Sequence, residues 1–136
     1  MIVDTSALVA IFHLESGYDV YEEVLSAVGR SWISAATYVE LSMIVDRERD
    51  PILSHRLDEL LRESGIDIVP VSVSQARIAR EAFRDFGRGS GSAAKLNLGD
   101  CFSYALAKER NLPLLFKGND FTHTDLRSAL ESHDWQ

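Results

Sequence analysis

A chain of 136 residues with 46 % apolar content suits one domain with its own core and excludes a disordered chain. The formal charge of −7 argues against a protein that coats nucleic acid through a basic surface, because binding phosphate favours cations. Cys101 is the only cysteine, so no internal disulfide can form. The opening Met1-Ile2-Val3-Asp4 lacks the pattern of a signal peptide, and no window approaches the roughly 18 apolar residues of a membrane span, so a soluble, cytoplasmic chain is expected.

Met1 to Asp4 reads as a short buried strand ending in an acid, with Thr5 and Ser6 capping a helix through Phe12. A second helix is expected over 19–28, with Val20, Val24 and Val28 at four-residue spacing. Trp32-Ile33 is a strand candidate, followed by a helix from about Ala36 to Arg47. Pro51 opens an amphipathic helix with Leu53, Leu57, Leu60 and Leu61 on one stripe, ending near Gly65. Core is the expected role of that stripe, although part of it, or Leu8 to Phe12, would also suit a groove for a partner segment or a dimer seam. Ile66 to Val71 is a strand, and Ser74 to Phe86 a helix through Ala76, Ala79, Ala82 and Phe83. The small-residue stretch Gly87 to Ser92 predicts a mobile loop without the spacing of a nucleotide-binding glycine loop. Asn97 caps a helix from Leu98 to about Arg110, Leu114 to Phe116 is a strand, and Asp120-Phe121 opens a turn. Short apolar strands alternating with helices predict an α/β fold with a parallel sheet covered on both faces, whose sites lie beyond the carboxyl ends of the strands.

Four acids stand out against this frame. Asp4 and Asp120 each follow a strand, Glu40 interrupts an otherwise mostly apolar helix, and Asp100 sits in the first turn of a helix of small and apolar residues. Taken singly, each has an ordinary explanation: a cap, a solvent edge, the helix dipole or a loop. Together they would repel, by about 4 kcal/mol for two bare charges 4 Å apart at an effective dielectric of about 20. Such a cluster needs raised pKa values or a divalent cation, and oxygen-only ligands suit Mg2+ or Mn2+ rather than zinc.

The segments carrying these acids resemble the motifs of PIN-domain ribonucleases, in particular the VapC toxins of bacterial toxin–antitoxin pairs. Ile2-Val3-Asp4-Thr5-Ser6-Ala7-Leu8 is similar to the family's first-strand motif and Thr37-Tyr38-Val39-Glu40 to its helical glutamate segment. The stretch from Leu98 through Asp100 to Ala107, the most specific of the four, resembles the third acidic motif, and Leu114 through Asp120 to Phe121 the fourth. The order matches over Met1 to about Asp125, and no family acid is missing. The resemblance implies a single domain over 1–136 with a three-layer α/β/α sandwich and a mostly parallel central sheet. It implies Mg2+- or Mn2+-dependent cleavage of RNA, a homodimer, and inhibition by a VapB-type antitoxin. Asp4, Glu40, Asp100 and Asp120 would form the catalytic metal shell, Thr5 and Ser6 would orient Asp4 or a water, and Asp125 is a candidate fifth acid.

Arg77, Arg80, Arg84 and Arg88 fall on one helical face if the helix reaches Gly87, and Lys95 follows the glycine loop. They form either a solvated face balanced by Glu81 and Asp85 or an RNA phosphate track through Arg80, Arg84, Arg88 and Lys95. Cys101, Trp32 and Phe102 read as core, and His13, His55, His123 and His133 lack metal-ligand spacing. Two competing functions remain. An aspartyl-phosphate phosphatase would want a second acid where Ser6 stands, and a metal-free PIN-like module binding RNA or protein would want an acid missing.

Overall fold

Two neighbouring residues divide the molecule into layers. Successive side chains of a strand point to opposite faces, so Ile2 enters one apolar cluster and Val3 the other. They form β1 (Ile2–Val3) of the computed structural model, which describes residues 1–131 and leaves His133 outside the described residues. The elements after β1 are α1 (Thr5–Phe12), α2 (Tyr18–Val28), β2 (Ser31–Ser34), α3 (Ala35–Asp46), α4 (Pro51–Glu63), β3 (Ile66–Val69), α5 (Val73–Phe86), α6 (Leu98–Arg110) and β4 (Leu114–Leu115). A 3-10 turn at Phe121–His123 follows.

The four strands form one parallel sheet in the order β3-β2-β1-β4. In β4, Leu114 and Leu115 repeat the alternation of Ile2 and Val3, their partners in register. Helices α1 to α4 pack with Val3, Ile33, Ile66 and Leu115 on one face. Helices α5 and α6 pack with Ile2, Val69, Leu114 and Phe116 on the other. This is the expected α/β/α sandwich. Among the described residues no helix is long and apolar enough to cross a membrane.

Polar caps set most helix starts. Asp4, Ser34, Asp50, Ser72 and Asn97 each accept a backbone N–H of the turn they open. The α1 cap is therefore Asp4 rather than Thr5 or Ser6. Leu57 and Leu61 are buried, with Leu53 and Leu60 packed beside them, so the leucine stripe is core.

Three expectations change. The buried face of α2 is Tyr21, Val24 and Leu25, leaving Val20 exposed; that of α5 is Gln75, Ala79 and Ala82, leaving Phe83 exposed. Trp32 and Phe102 are only half-buried, the former with the guanidinium groups of Arg30 and Arg110 over its ring at 5.5 and 5.4 Å. The glycine loop is tied rather than loose. Arg88 N–H donates to the Leu96 carbonyl and Leu96 N–H to that of Phe86, while Ala94 and Leu96 are fully buried below.

Leu106 lies fully buried between α6 and the sheet, whereas Val73 at the start of α5 is 68 % exposed. Leu106→Ala should cost roughly 2–5 kcal/mol in urea denaturation, and Val73→Ala less than about 0.5 kcal/mol.

Candidate active site

The sheet order dictates where the acids meet. The chain steps outward from β1 to β2 to β3 and then returns to place β4 on the other side of β1. Between β1 and β4 the connections diverge, leaving a crevice at the carboxyl ends of those strands. Asp4 directly follows β1 there, and its backbone N–H is bonded to the Leu115 carbonyl of β4 at 2.9 Å. Asp4 is 3 % exposed, so its charge must be met by donors. Ser6 supplies its N–H at 3.0 Å and its hydroxyl at 2.6 Å to Oδ2; Ser103 of α6 supplies a hydroxyl at 2.6 Å to Oδ1. Ser6 is in turn fixed by the Lys117 N–H at 2.9 Å.

Glu40 projects from α3, half-buried, and accepts the Thr5 hydroxyl at 2.7 Å. The Ser6 hydroxyl thus donates to Asp4, and the Thr5 hydroxyl to Glu40. The Glu40 carboxylate lies against the first turn of α6: a Cβ on Gly99 would stand 2.0 Å from its Oε2. Only a residue without a side chain leaves it that space.

Asp100 enters from the same turn of α6. Asn97 accepts the Asp100 N–H at 2.9 Å, and the Asp100 carboxylate accepts the Asn97 N–H at 3.1 Å, a reciprocal cap. Burial pushes its pKa up to about 6; the Asn97 N–H opposes this, and the negative charges of Asp4, Asp120 and Glu40 add to it. All three other acids therefore act on Asp100. Asp120 is exposed at the start of the 3-10 turn and makes no side-chain cap bond.

The ion pairs separate these acids from the rest. Two lysines pair with other acids, Lys117 Nζ with Glu15 at 2.8 Å and Lys108 with Asp125 at 2.5 Å, while Arg47 lines the groove beside Glu40. Asp125 also accepts the Tyr104 hydroxyl at 2.6 Å, and despite burial these bonds hold its pKa below the ordinary carboxylate value. It is a structural acid of the α6 flank. His123 is exposed, His13 packs edge-on to Phe12 and His55 pairs with Glu59. Burial lifts the Cys101 thiol to about 11, so it is an inert packing group.

Away from the crevice, Arg77, Arg80, Glu81 and Arg84 line an exposed groove of about 470 Å3 on α5. Arg84 is held by Asp85 through bonds of 2.9 and 3.2 Å, while Arg88, within the glycine loop, and Lys95, beyond it, stand exposed. Gly99, Thr37 and Ser103 are further residues of the site that the motifs contain without singling out. A signal existed for Gly99, since glycine is a poor choice inside a helix.

Residues 1–126 match the family model described as PIN domain. The chain belongs to the PIN-domain family. This PIN domain is 54 % identical over 129 residues to Ribonuclease VapC42 of Mycobacterium tuberculosis, covering 95 % of the chain and 98 % of the relative. It is 50 % identical over 131 residues to Ribonuclease VapC28 of the same organism, covering 96 % and 98 %. In fold it is similar to the crystal structure of M. tuberculosis VapC20, titled a sarcin-ricin loop cleaving toxin, with a TM-score of 0.73 at 13 % identity over 92 % of this chain and 95 % of that one. A toxin–antitoxin complex from Klebsiella pneumoniae gives a TM-score of 0.68 at 22 % identity, covering 91 % and 92 %.

Two outcomes follow for this PIN domain. Asp100 carries a folded pKa of about 6 against an ordinary 3.8, so the native state binds that proton more tightly and stability falls as pH rises through this window. Asp100→Asn should therefore raise the melting temperature at pH 7.5 in chelator, with the gain vanishing near pH 4. Gly99→Ala should fold with an unchanged or slightly higher melting temperature, by up to about 1 kcal/mol of helix propensity. Its new methyl displaces Glu40, and the ribonuclease activity its relatives are named for should drop by roughly tenfold or more.

Proposed function

We propose that this chain is the toxin of a type II toxin–antitoxin pair, an endoribonuclease that hydrolyses RNA phosphodiester bonds with Mg2+ or Mn2+. In this function Asp4, Glu40, Asp100 and Asp120 hold the cation, and residues 1–136 act as one PIN-like domain. The observation that carries it is the meeting of four acids, in which burial first and then the charges of Asp4, Asp120 and Glu40 raise the Asp100 pKa, in a chain 54 % identical to a VapC ribonuclease.

The donor set fits a hard dication. It consists of carboxylate oxygens, without cysteine or a suitably placed histidine, and its mutual repulsion is the cost that a dication removes. Among the described residues no three of His, Cys, Asp and Glu are already gathered as a metal-binding group. The cation would therefore be taken up by turning side chains, with Asp4 held by its hydroxyl donors and the exposed Asp120 free to swing in. A dication bound there supplies charge neutralisation at the scissile phosphate and lowers the pKa of attacking water.

The protein's own residues divide the remaining work. Ser6 and Ser103 hold Asp4, Thr5 and the gap at Gly99 hold Glu40, and Asn97 holds Asp100. Arg80, Arg84, Arg88 and Lys95 are the proposed contacts to RNA phosphates, a local basic surface on an acidic protein. A VapB-type antitoxin would cover the apolar groove of about 830 Å3 beside Glu40, lined among others by Val39, Met43, Leu98 and Phe102. A homodimer in the cytoplasm completes the assignment.

The purified protein should cleave RNA with Mg2+ or Mn2+, lose activity in EDTA, and lose at least about 100-fold in kcat on Asp4→Asn or Asp100→Asn. Mapping cleavage sites in cells after induction, with Asp4→Asn as control, identifies the RNA. Equal cleavage by wild type and Asp4→Asn would assign the cutting to a contaminating nuclease or another site and remove the assignment.

A further inference from the structure

Thr37 of α3 is fully buried, yet it carries a hydroxyl where valine would fill the same volume. A buried hydroxyl costs free energy unless it is bonded, and the bond it makes points at the site. Thr37 Oγ1 lies 3.2 Å from Ser103 Oγ, itself fully buried and 2.6 Å from Asp4 Oδ1.

The direction of these bonds follows from counting protons. Each hydroxyl has one proton to give and two lone pairs. An ionised Asp4 only accepts, so the Ser103 proton is committed to Oδ1. The contact with Thr37 then has a single direction: Thr37 donates and Ser103 accepts. The same logic orders the other oxygen, where the Lys117 N–H donates to Ser6, which donates to Oδ2. Two one-way donor chains, from α3 through α6 and from the β4 exit through α1, therefore end on the two oxygens of one carboxylate. Such chains polarise each successive donor. A threonine within a helix ordinarily turns its hydroxyl to the carbonyl one turn back; Thr37 is turned to Ser103.

We propose that Thr37 is a positioning residue for Asp4: by donating to Ser103 it fixes the Ser103 proton on Oδ1 and so sets which lone pairs of Asp4 face the cation. The assignment rests on the proposed function, in which Asp4 is a metal ligand. Thr37 touches neither cation nor substrate and acts only through Ser103. A serine keeps the donor, whereas a valine keeps the shape and loses it.

The test is Mn2+ titration by calorimetry on wild type, Thr37→Val, Thr37→Ser, Ser103→Ala, the double variant Thr37→Val with Ser103→Ala, and Asp4→Asn, together with kcat, KM and melting temperature. Thr37→Val should keep its melting temperature, weaken Mn2+ binding and lower kcat about three- to tenfold, below the about 10- to 100-fold typical of groups bonded directly to a ligand, and leave KM unchanged. Thr37→Ser should match wild type. On the Ser103→Ala background, Thr37→Val should add nothing further, because the two act in series. Wild-type Mn2+ affinity in Thr37→Val, with binding lost in Asp4→Asn, would overturn the relay and leave the proposed function standing. A Thr37→Ser variant as impaired as Thr37→Val would overturn it too, since shape rather than the donor would then matter. If Asp4→Asn itself binds Mn2+ and cleaves RNA like wild type, the ligand role of Asp4 fails, and the relay with it. Should Thr37→Val not fold, Ser103→Ala decides alone, normal Mn2+ affinity there removing the relay.

Discussion

The placing of carboxylates together, most of them partly or fully buried, at the carboxyl ends of β1 and β4 is the constraint around which this molecule is arranged. Asp4, Glu40, Asp100 and Asp120 come from four segments, and the charges of the other three help to raise the Asp100 pKa. A protein that only needed stability would place cations among them. Here Lys117 pairs with Glu15, Lys108 with Asp125 and Arg84 with Asp85, and none of these pairs involves the four acids. What the acids receive instead are neutral donors, the hydroxyls of Ser6, Ser103 and Thr5 and the N–H groups of Ser6 and Asn97. Neutral donors fix a carboxylate without cancelling its charge, so the charge stays available to a ligand. That distinction separates Asp125, neutralised and structural, from the four acids of the crevice.

The topology makes this arrangement affordable in packing terms. Because β1 is central and β4 returns beside it, the carboxyl end of β1 is bordered by α1, α3, α6 and the β4 exit. Ile2 and Val3 bury nothing but apolar surface on either side, and the chain turns polar at the first residue beyond the sheet. Asp4 does two jobs at that point, capping α1 and facing the crevice, and it can do both because a carboxylate has two oxygens. Asp100 repeats the device at the start of α6. Helix N-termini bring N–H groups and a favourable dipole to acids that their neighbours disfavour, which lowers the free energy of keeping both charges near one another.

How much of this could be read from the sequence depends on the range of each interaction. Caps, proline starts and apolar runs are local, so every element was legible, with Asn97 and Pro51 marking helix starts directly. The four acids were legible as a set because each breaks an apolar segment near a predicted strand end or helix. Their supports were not, because they depend on tertiary contacts. Thr5 meets Glu40 across 35 residues, Thr37 meets Ser103 across 66, and Ser103 meets Asp4 across 99. Hydroxyl residues are common enough that no spacing rule selects these three. Faces were misjudged where two periodicities competed: Val20 fits a four-residue stripe, but Tyr21, Val24 and Leu25 bury more surface, and α2 turns accordingly. The glycine loop misled through composition, since its closure by Phe86, Arg88 and Leu96 uses backbone atoms that every residue type possesses.

The acidic total, which seemed to oppose action on a polyanion, takes a different meaning once the charges are sorted by place. A net charge governs long-range steering, whereas the chemistry of a cut is governed by the few ångströms around one phosphate. The crevice acids are the part of the negative charge that a dication would reverse locally, and the arginines of α5 concentrate positive charge on a separate surface. An enzyme built this way gains little from nonspecific attraction to nucleic acid, because its overall field repels phosphate. Its selection among RNAs must then come from contacts made at close range, where shape and the placement of individual donors discriminate and bulk charge does not. For an endoribonuclease of this net charge, weak general attraction combined with a demanding site is the physically consistent pairing.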